Sequence, residues 1–206
     1  QLAATIGELP EADRLAPGNA ETALLLGVVL AKRGDFAGAI DVFRDMVRLH
    51  PHAVEGHSNL GLACLQGGDL DGAVASYEQA LRLRPDSADF LNHLGIAWSR
   101  QGAHEKALAC YRRANEIQPS ADVCNNLSAT LQALGDASGA EDALRRALTL
   151  SPGHPRVLFN LGLCLSSSGR PQEAIAVFNE SLERLTEKAM VLHQLGMAHA
   201  QMEQFD

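Results

Sequence analysis

The stretch SADFLNHLGIAWSRQGAHEKALACYRRANEIQP, residues 87–119, decides the fold. Leu94 and Trp98 stand one helical turn apart in its first half, Ala107 and Tyr111 one turn apart in its second. Gly102 lies between the two halves, where a left-handed residue ends one helix and opens a tight turn into the next. Gly95 and Ala107 are small enough to let the two helices approach, and Tyr111 is large enough to fill the space between them. Pro119 closes the second helix, which it cannot continue.

The same marks recur on either side. Pro17, Pro51, Pro85, Pro119 and Pro152 are spaced by 34, 34, 34 and 33 residues. A leucine followed by a small residue keeps that phase at Leu26-Gly27, Leu60-Gly61, Leu94-Gly95, Leu127-Ser128, Leu161-Gly162 and Leu195-Gly196. Ala39, Ala73, Ala107, Ala140 and Ala174 follow, each with a large apolar residue four positions on: Phe43, Tyr77, Tyr111, Leu144 and Phe178. The turn glycines are Gly34, Gly68, Gly102, Gly135 and Gly169. All tracks share one deletion, between Pro119 and Leu127, so a single repeating unit underlies them.

That unit resembles the tetratricopeptide repeat, whose pattern runs W-x2-L-G-x2-Y, then A-x3-F, then P. The resemblance extends over nearly the whole chain. It departs where Trp98 is the only aromatic on its track, the others being Leu30, Cys64, Leu131, Leu165 and His199, and where Thr186 replaces a proline. The implied fold is all-α, a right-handed superhelical solenoid of antiparallel helix pairs forming one array over residues 1–206. Full repeats span 20–53, 54–87, 88–120, 121–154 and 155–188, with a partial repeat at 1–19 and the first helix of a sixth at 189–206.

Helical spacing predicts first helices at 20–33, 54–67, 88–101, 121–134, 155–168 and 189–202. Second helices are predicted at 36–49, 70–83, 104–117, 137–150 and 171–184, with 1–16 in the place of another that Pro10 would break. Leu192, Leu195 and Met197 would lack a following helix, which is expected of a fragment of a longer protein, or of an array whose ends are covered by another copy.

Composition narrows the chemistry. A net charge of −8 and no Lys/Arg run longer than two argue against a nucleic-acid partner. No apolar run approaches the roughly 18 residues of a membrane span, so no membrane insertion is expected. Cys64, Cys110, Cys124 and Cys164, spaced by 46, 14 and 40, fit no zinc framework and read as small buried hydrophobes of a reducing, cytoplasmic setting. His104-Glu105 opens a zincin-like motif, but Leu108 stands where its second histidine belongs. His50, His52 and His57 read as a solvated turn, and Gly67-Gly68 as a helix-ending one. Asn126-Leu-Ser128 and Asn179-Glu-Ser181 match the glycosylation sequon inside predicted helices. Trp98, Tyr77 and Tyr111 fall on packing tracks and are expected in the core. No enzyme and no cofactor is expected.

In tetratricopeptide arrays the first helices line a concave face. The resemblance places there the residue before each Leu-small pair: Leu25, Asn59, His93, Asn126, Asn160 and Gln194, with Asn92 and Asn125 beside two of them. An amide both donates and accepts, so one per repeat can clamp the backbone of an extended peptide. This row resembles the asparagine ladder of O-linked N-acetylglucosamine transferases, interrupted here by Leu25, His93 and Gln194. Such an asparagine can equally bond a neighbouring repeat or cap local backbone. The carboxylate clamp that holds acidic chaperone tails is missing its Lys and Arg, since Ser58, Leu62, Asp89, His93 and Ile96 occupy those positions. Beside the amides run Val28, Leu62, Ile96, Ala129, Leu163 and Met197.

The expected function is a protein–protein interaction scaffold that holds an extended peptide or a partner helix in this groove. Acidic residues at the rim, Glu55, Asp89 and Asp122, favour a neutral or basic ligand. Two alternatives stand beside it: the substrate-recruiting arm of a larger enzyme such as a glycosyltransferase, and a scaffold that self-associates through open ends.

Overall fold

In the computed structural model residues 19–184 and 188–203 are described, with side chains to residue 200. The expected helix over residues 1–16 lies outside them. The described residues form helices joined by short turns, and the chain divides after Ala103 into two compact units. Each unit is all-α.

The N-terminal unit holds α1 (Ala20–Lys32), α2 (Phe36–Leu49), α3 (Val54–Gly67), α4 (Leu70–Leu83) and α5 (Ala88–Arg100). Each helix packs on the next, and α3 also meets α1 and α5, so α1, α3 and α5 form one layer and α2 and α4 the other. The C-terminal unit repeats the plan with α6 (His104–Ile117), α7 (Ala121–Ala133), α8 (Ala137–Leu150), α9 (Pro155–Ser167), α10 (Pro171–Arg184) and α11 (Ala189–Glu203). There α7, α9 and α11 share a layer.

Every second helix among the described residues has the bounds its spacing predicts. Four first helices stop one residue early because Arg33, Gln101, Leu134 and Ser168 serve as their C-caps. The turn glycines do what the pattern requires, Gly68 with φ 85° at the end of α3 and Gly135 with φ 83° after α7. Asp35, Asp69 and Asp136 begin the second helices as N-caps, each accepting from the backbone N–H of a glycine three residues on at 3.0, 2.9 and 2.8 Å.

Close approach within each pair is set by the small-residue track. A Cβ on Gly27 would stand 2.5 Å from the Phe43 ring, and one on Gly61 would stand 2.8 Å from the Tyr77 ring. Gly162 meets Phe178 in the same way. Phe43, Tyr77, Tyr111, Leu144 and Phe178 are all buried, with the alanine track beside them. Trp98 departs from its expected place: it is half-buried, as suits a ring whose N–H edge needs a polar partner. Cys64, Cys124 and Cys164 are free and buried, and Cys110 is half-buried. Burial, with Asp69 adding to it, pushes the Cys64 thiol up to about 11, and burial raises that of Cys124.

One ion-pair network ties the C-terminal unit together. Glu141 on α8 meets Arg145 at 2.6 Å and Arg170 at 2.8 Å, and Arg170 also meets Glu173 at 2.6 Å. Hydrogen bonds from Arg145 and then Arg170 hold the Glu141 carboxyl below its ordinary value, and Arg170 does the same for Glu173. Both folded-state values are depressed, so the stabilisation is present above the ordinary carboxylate range and is lost as pH falls through it. Arg170→Ala should therefore melt below the parent at pH 7. The gap should narrow on acidification towards pH 3, and a gap that widened would refute this account.

Candidate functional site

The first helices of the two units carry the residues that the repeat pattern assigns to the groove. In the N-terminal unit Asn59 is half-buried on α3, and its Nδ2 donates to the Glu55 carbonyl at 2.8 Å. His93 on α5 is half-buried too. Its Nδ1 lies 2.8 Å from the Asp89 carbonyl, and its ring stacks on Tyr77 with centroids 5.4 Å apart and planes 14° apart. Asn92 beside it is half-buried. Between α1 and α3 opens a hollow of about 180 Å³, lined by Val28, Ala31, Lys32, Asn59, Leu62 and Gln66 over a floor of Phe43 and Ala63. Leu25 and Leu62 are exposed along this face.

In the C-terminal unit Asn160 on α9 reaches across to α7, its Nδ2 donating to Asn125 Oδ1 at 2.7 Å. Asn125 is only 6% exposed, and its Oδ1 accepts this bond from the neighbouring repeat. Asn126 is half-buried on α7, and its backbone carbonyl accepts from Thr130 Oγ1 at 3.0 Å. Gln194 on α11 lines an open hollow of about 550 Å³ with Gln132, Leu163, Ser166 and Ser167. Met197 is 52% exposed.

Of the two expected roles of the amides, the intrachain one is visible: Asn59 bonds local backbone and Asn160 bonds the neighbouring repeat. Asn59 and Asn160 spend one N–H each on local or neighbouring acceptors, yet an amide so held keeps its oxygen and its second N–H. The apolar strip beside them is neutral and partly open. Residues that pattern reading passed over are Gln66, Gln132 and Ser167. They stand seven residues beyond Asn59, Asn125 and Asn160, two turns along the same helix face, and that spacing was the available signal.

No group of three or more His, Cys, Asp or Glu that could hold a metal occurs among the described residues. His57 instead lies 2.9 Å from the Pro51 carbonyl through Nε2, within its turn. No helix among the described residues is long and apolar enough to cross a membrane.

Known proteins share this architecture. Models of the tetratricopeptide repeat match residues 8–54, 24–77, 88–120 and 120–187, and a model described as a TPR repeat matches 61–102. No curated protein matches the sequence. Among solved structures the chain is similar to MamA, at 26% identity and TM-score 0.71, over 77% of this chain and 93% of that one. It is similar to a thermophilic TPR protein of Thermus thermophilus, at 23% identity and TM-score 0.68, over 88% of this chain and 100% of that one. YrrB, described as a TPR protein with an unusual peptide-binding site, aligns at 17% identity and TM-score 0.69, over 90% and 96% of the two chains. The last two likenesses bear on the fold alone.

Proposed function

Because the chain belongs to the tetratricopeptide-repeat family, whose arrays are protein-interaction scaffolds, we propose that it holds an extended peptide or a partner helix against its first-helix face. The observation that carries this reading is the pairing of half-buried amides with an exposed apolar strip on the same helices, Asn59 beside Leu62 and Gln194 beside Met197. Apolar side chains left in solvent are a binding resource. Amides already oriented by Glu55 and Asn125 lose little freedom when a backbone joins them. The proposed role is binding without chemistry, as suits a repeat family of typically non-catalytic scaffolds.

The test is a pull-down from lysate read by mass spectrometry, run with the parent and with Asn59→Ala, Asn126→Ala, Asn160→Ala combined. Circular dichroism should first show that the variant keeps its helices. A partner captured by the parent should be lost or weakened at least about tenfold in the variant, as expected when several backbone clamps go together. Equal capture by both proteins would place the binding surface elsewhere.

A further inference from the structure

We propose that the first-helix face of the N-terminal unit selects an extended segment that carries an aliphatic anchor flanked by lysine or arginine. This rests on the groove reading above and adds the chemistry of its partner. Three features of the face converge on it.

The first is the polarity of the two held side chains. A carbonyl oxygen accepts only, so the atom of Asn59 that faces Glu55 O at 2.8 Å has to be the N–H end of the amide. That fixes the amide orientation and leaves Oδ1 for a ligand. For the same reason the proton of neutral His93 sits on Nδ1, against Asp89 O at 2.8 Å, and Nε2 is left as an acceptor. The Tyr77 ring stacked beneath holds that orientation. A ligand on this face therefore meets two fixed acceptors, Asn59 Oδ1 and His93 Nε2, which ligand donors can satisfy.

The second is charge. Glu21, Glu55 and Asp89 stand in the first turns of α1, α3 and α5, one on each first helix. Favourable interaction with the helix dipole accounts for acids at that end. It also gives the face one acidic margin. Glu55 is paired with Arg84 at 3.4 Å, and the Arg84 guanidinium also lies 5.7 Å over the Phe90 ring, but both side chains of the pair are more than half exposed, so the pair itself is weak. Apart from Arg84, the cations Lys32 and Arg100 stand in the last turns of their helices at the opposite margin, and Arg100 Nη1 is occupied by the Leu65 carbonyl at 3.0 Å. Ligand cations are drawn to one margin and repelled from the other.

The third is the hollow of about 180 Å³ between Val28 and Leu62, apolar at its floor and sized for one aliphatic side chain. Together these describe a basic segment with an apolar anchor.

The experiment is selection of peptides from a random displayed library on the intact 206-residue chain, followed by fluorescence anisotropy of the selected peptides. Each is titrated against the parent, against Ala31→Trp, which fills the hollow, and against Leu62→Arg, which blocks it from an exposed position. A fourth protein combines Glu21→Gln, Glu55→Gln and Asp89→Asn. Circular dichroism checks that each variant is folded. The expected result is hollow-dependent peptides that are basic and bind about tenfold more weakly to the neutralised variant, with steep loss of affinity in high salt. Hollow-dependent peptides that are neutral or acidic, or that ignore the neutralised margin, overturn the charge inference while leaving the groove reading intact. Peptides indifferent to both Ala31→Trp and Leu62→Arg overturn the proposal for this face, and no selected peptide at all overturns the groove reading with it.

Discussion

Gly162→Ala should destabilise the C-terminal unit by about 1–3 kcal/mol, an unusually large effect for a single methyl group. The added Cβ would overlap the Phe178 ring, and that ring has no room to retreat. It is fully buried, belongs to the same core cluster as Leu161 and Ala174, and has the Phe159 ring against it at 5.9 Å. Relief therefore has to come from separating α9 and α10, which opens packing along the whole pair. The fourth repeat shows how the conflict is avoided. There Ser128 replaces the glycine and Leu144 replaces the aromatic residue, and both are buried. Phe178→Leu introduced together with Gly162→Ala should accordingly recover part of the loss. A double-mutant cycle in urea should give a favourable coupling of about 1 kcal/mol or more. Strict additivity of the two single changes would mean that the glycine and the ring are not the contact that sets the helix spacing.

That pairing also explains why so much of the fold was legible. Each track is written several times, so a departure such as Ser128 with Leu144 reads as a variation on a rule. Helix bounds followed from Gly135, Pro119 and their equivalents to within a residue. The Asp-x-x-Gly caps at 35–38, 69–72 and 136–139 were equally repeated, yet a short polar cap carries little weight beside an apolar period. Groove residues were harder. Position in the repeat placed Asn59 and Asn160 on the first-helix face, but whether an amide meets solvent or a neighbour depends on contacts between repeats. Asn125 and Asn160 are 35 residues apart, and only their packed helices make one the support of the other. The hollow beside Asn59 likewise depends on how deep Phe43 sits behind Val28 and Leu62, a distance no periodicity contains. Trp98 missed the core for a related reason: a track assigns a direction, while the volume waiting there is set by the partner helix.

Tyr77→Ala should be the most damaging change in the N-terminal unit, costing about 3–5 kcal/mol, with Tyr77→Phe nearly neutral by comparison. Tyr77 is 2% exposed and fills the space that Gly61 leaves open, so its removal creates a cavity between α3 and α4 that two rigid helices cannot close. Its upper face does something else, since it is the platform on which the His93 ring lies. Truncation should therefore be felt twice, once as lost stability in urea and once in the groove, where His93 keeps only its bond to Asp89 O. The second effect can be read at temperatures where the variant is still folded, from the His93 imidazole resonances. Stacking on Tyr77 shifts them upfield, and that shift should persist in Tyr77→Phe and vanish in Tyr77→Ala. Loss of stability without any change at His93 would show that core and groove are independent. Loss of both would show that the ring which spaces the helices also orients the residue offered to a ligand, so that the binding face inherits its geometry from the packing of the repeat beneath it.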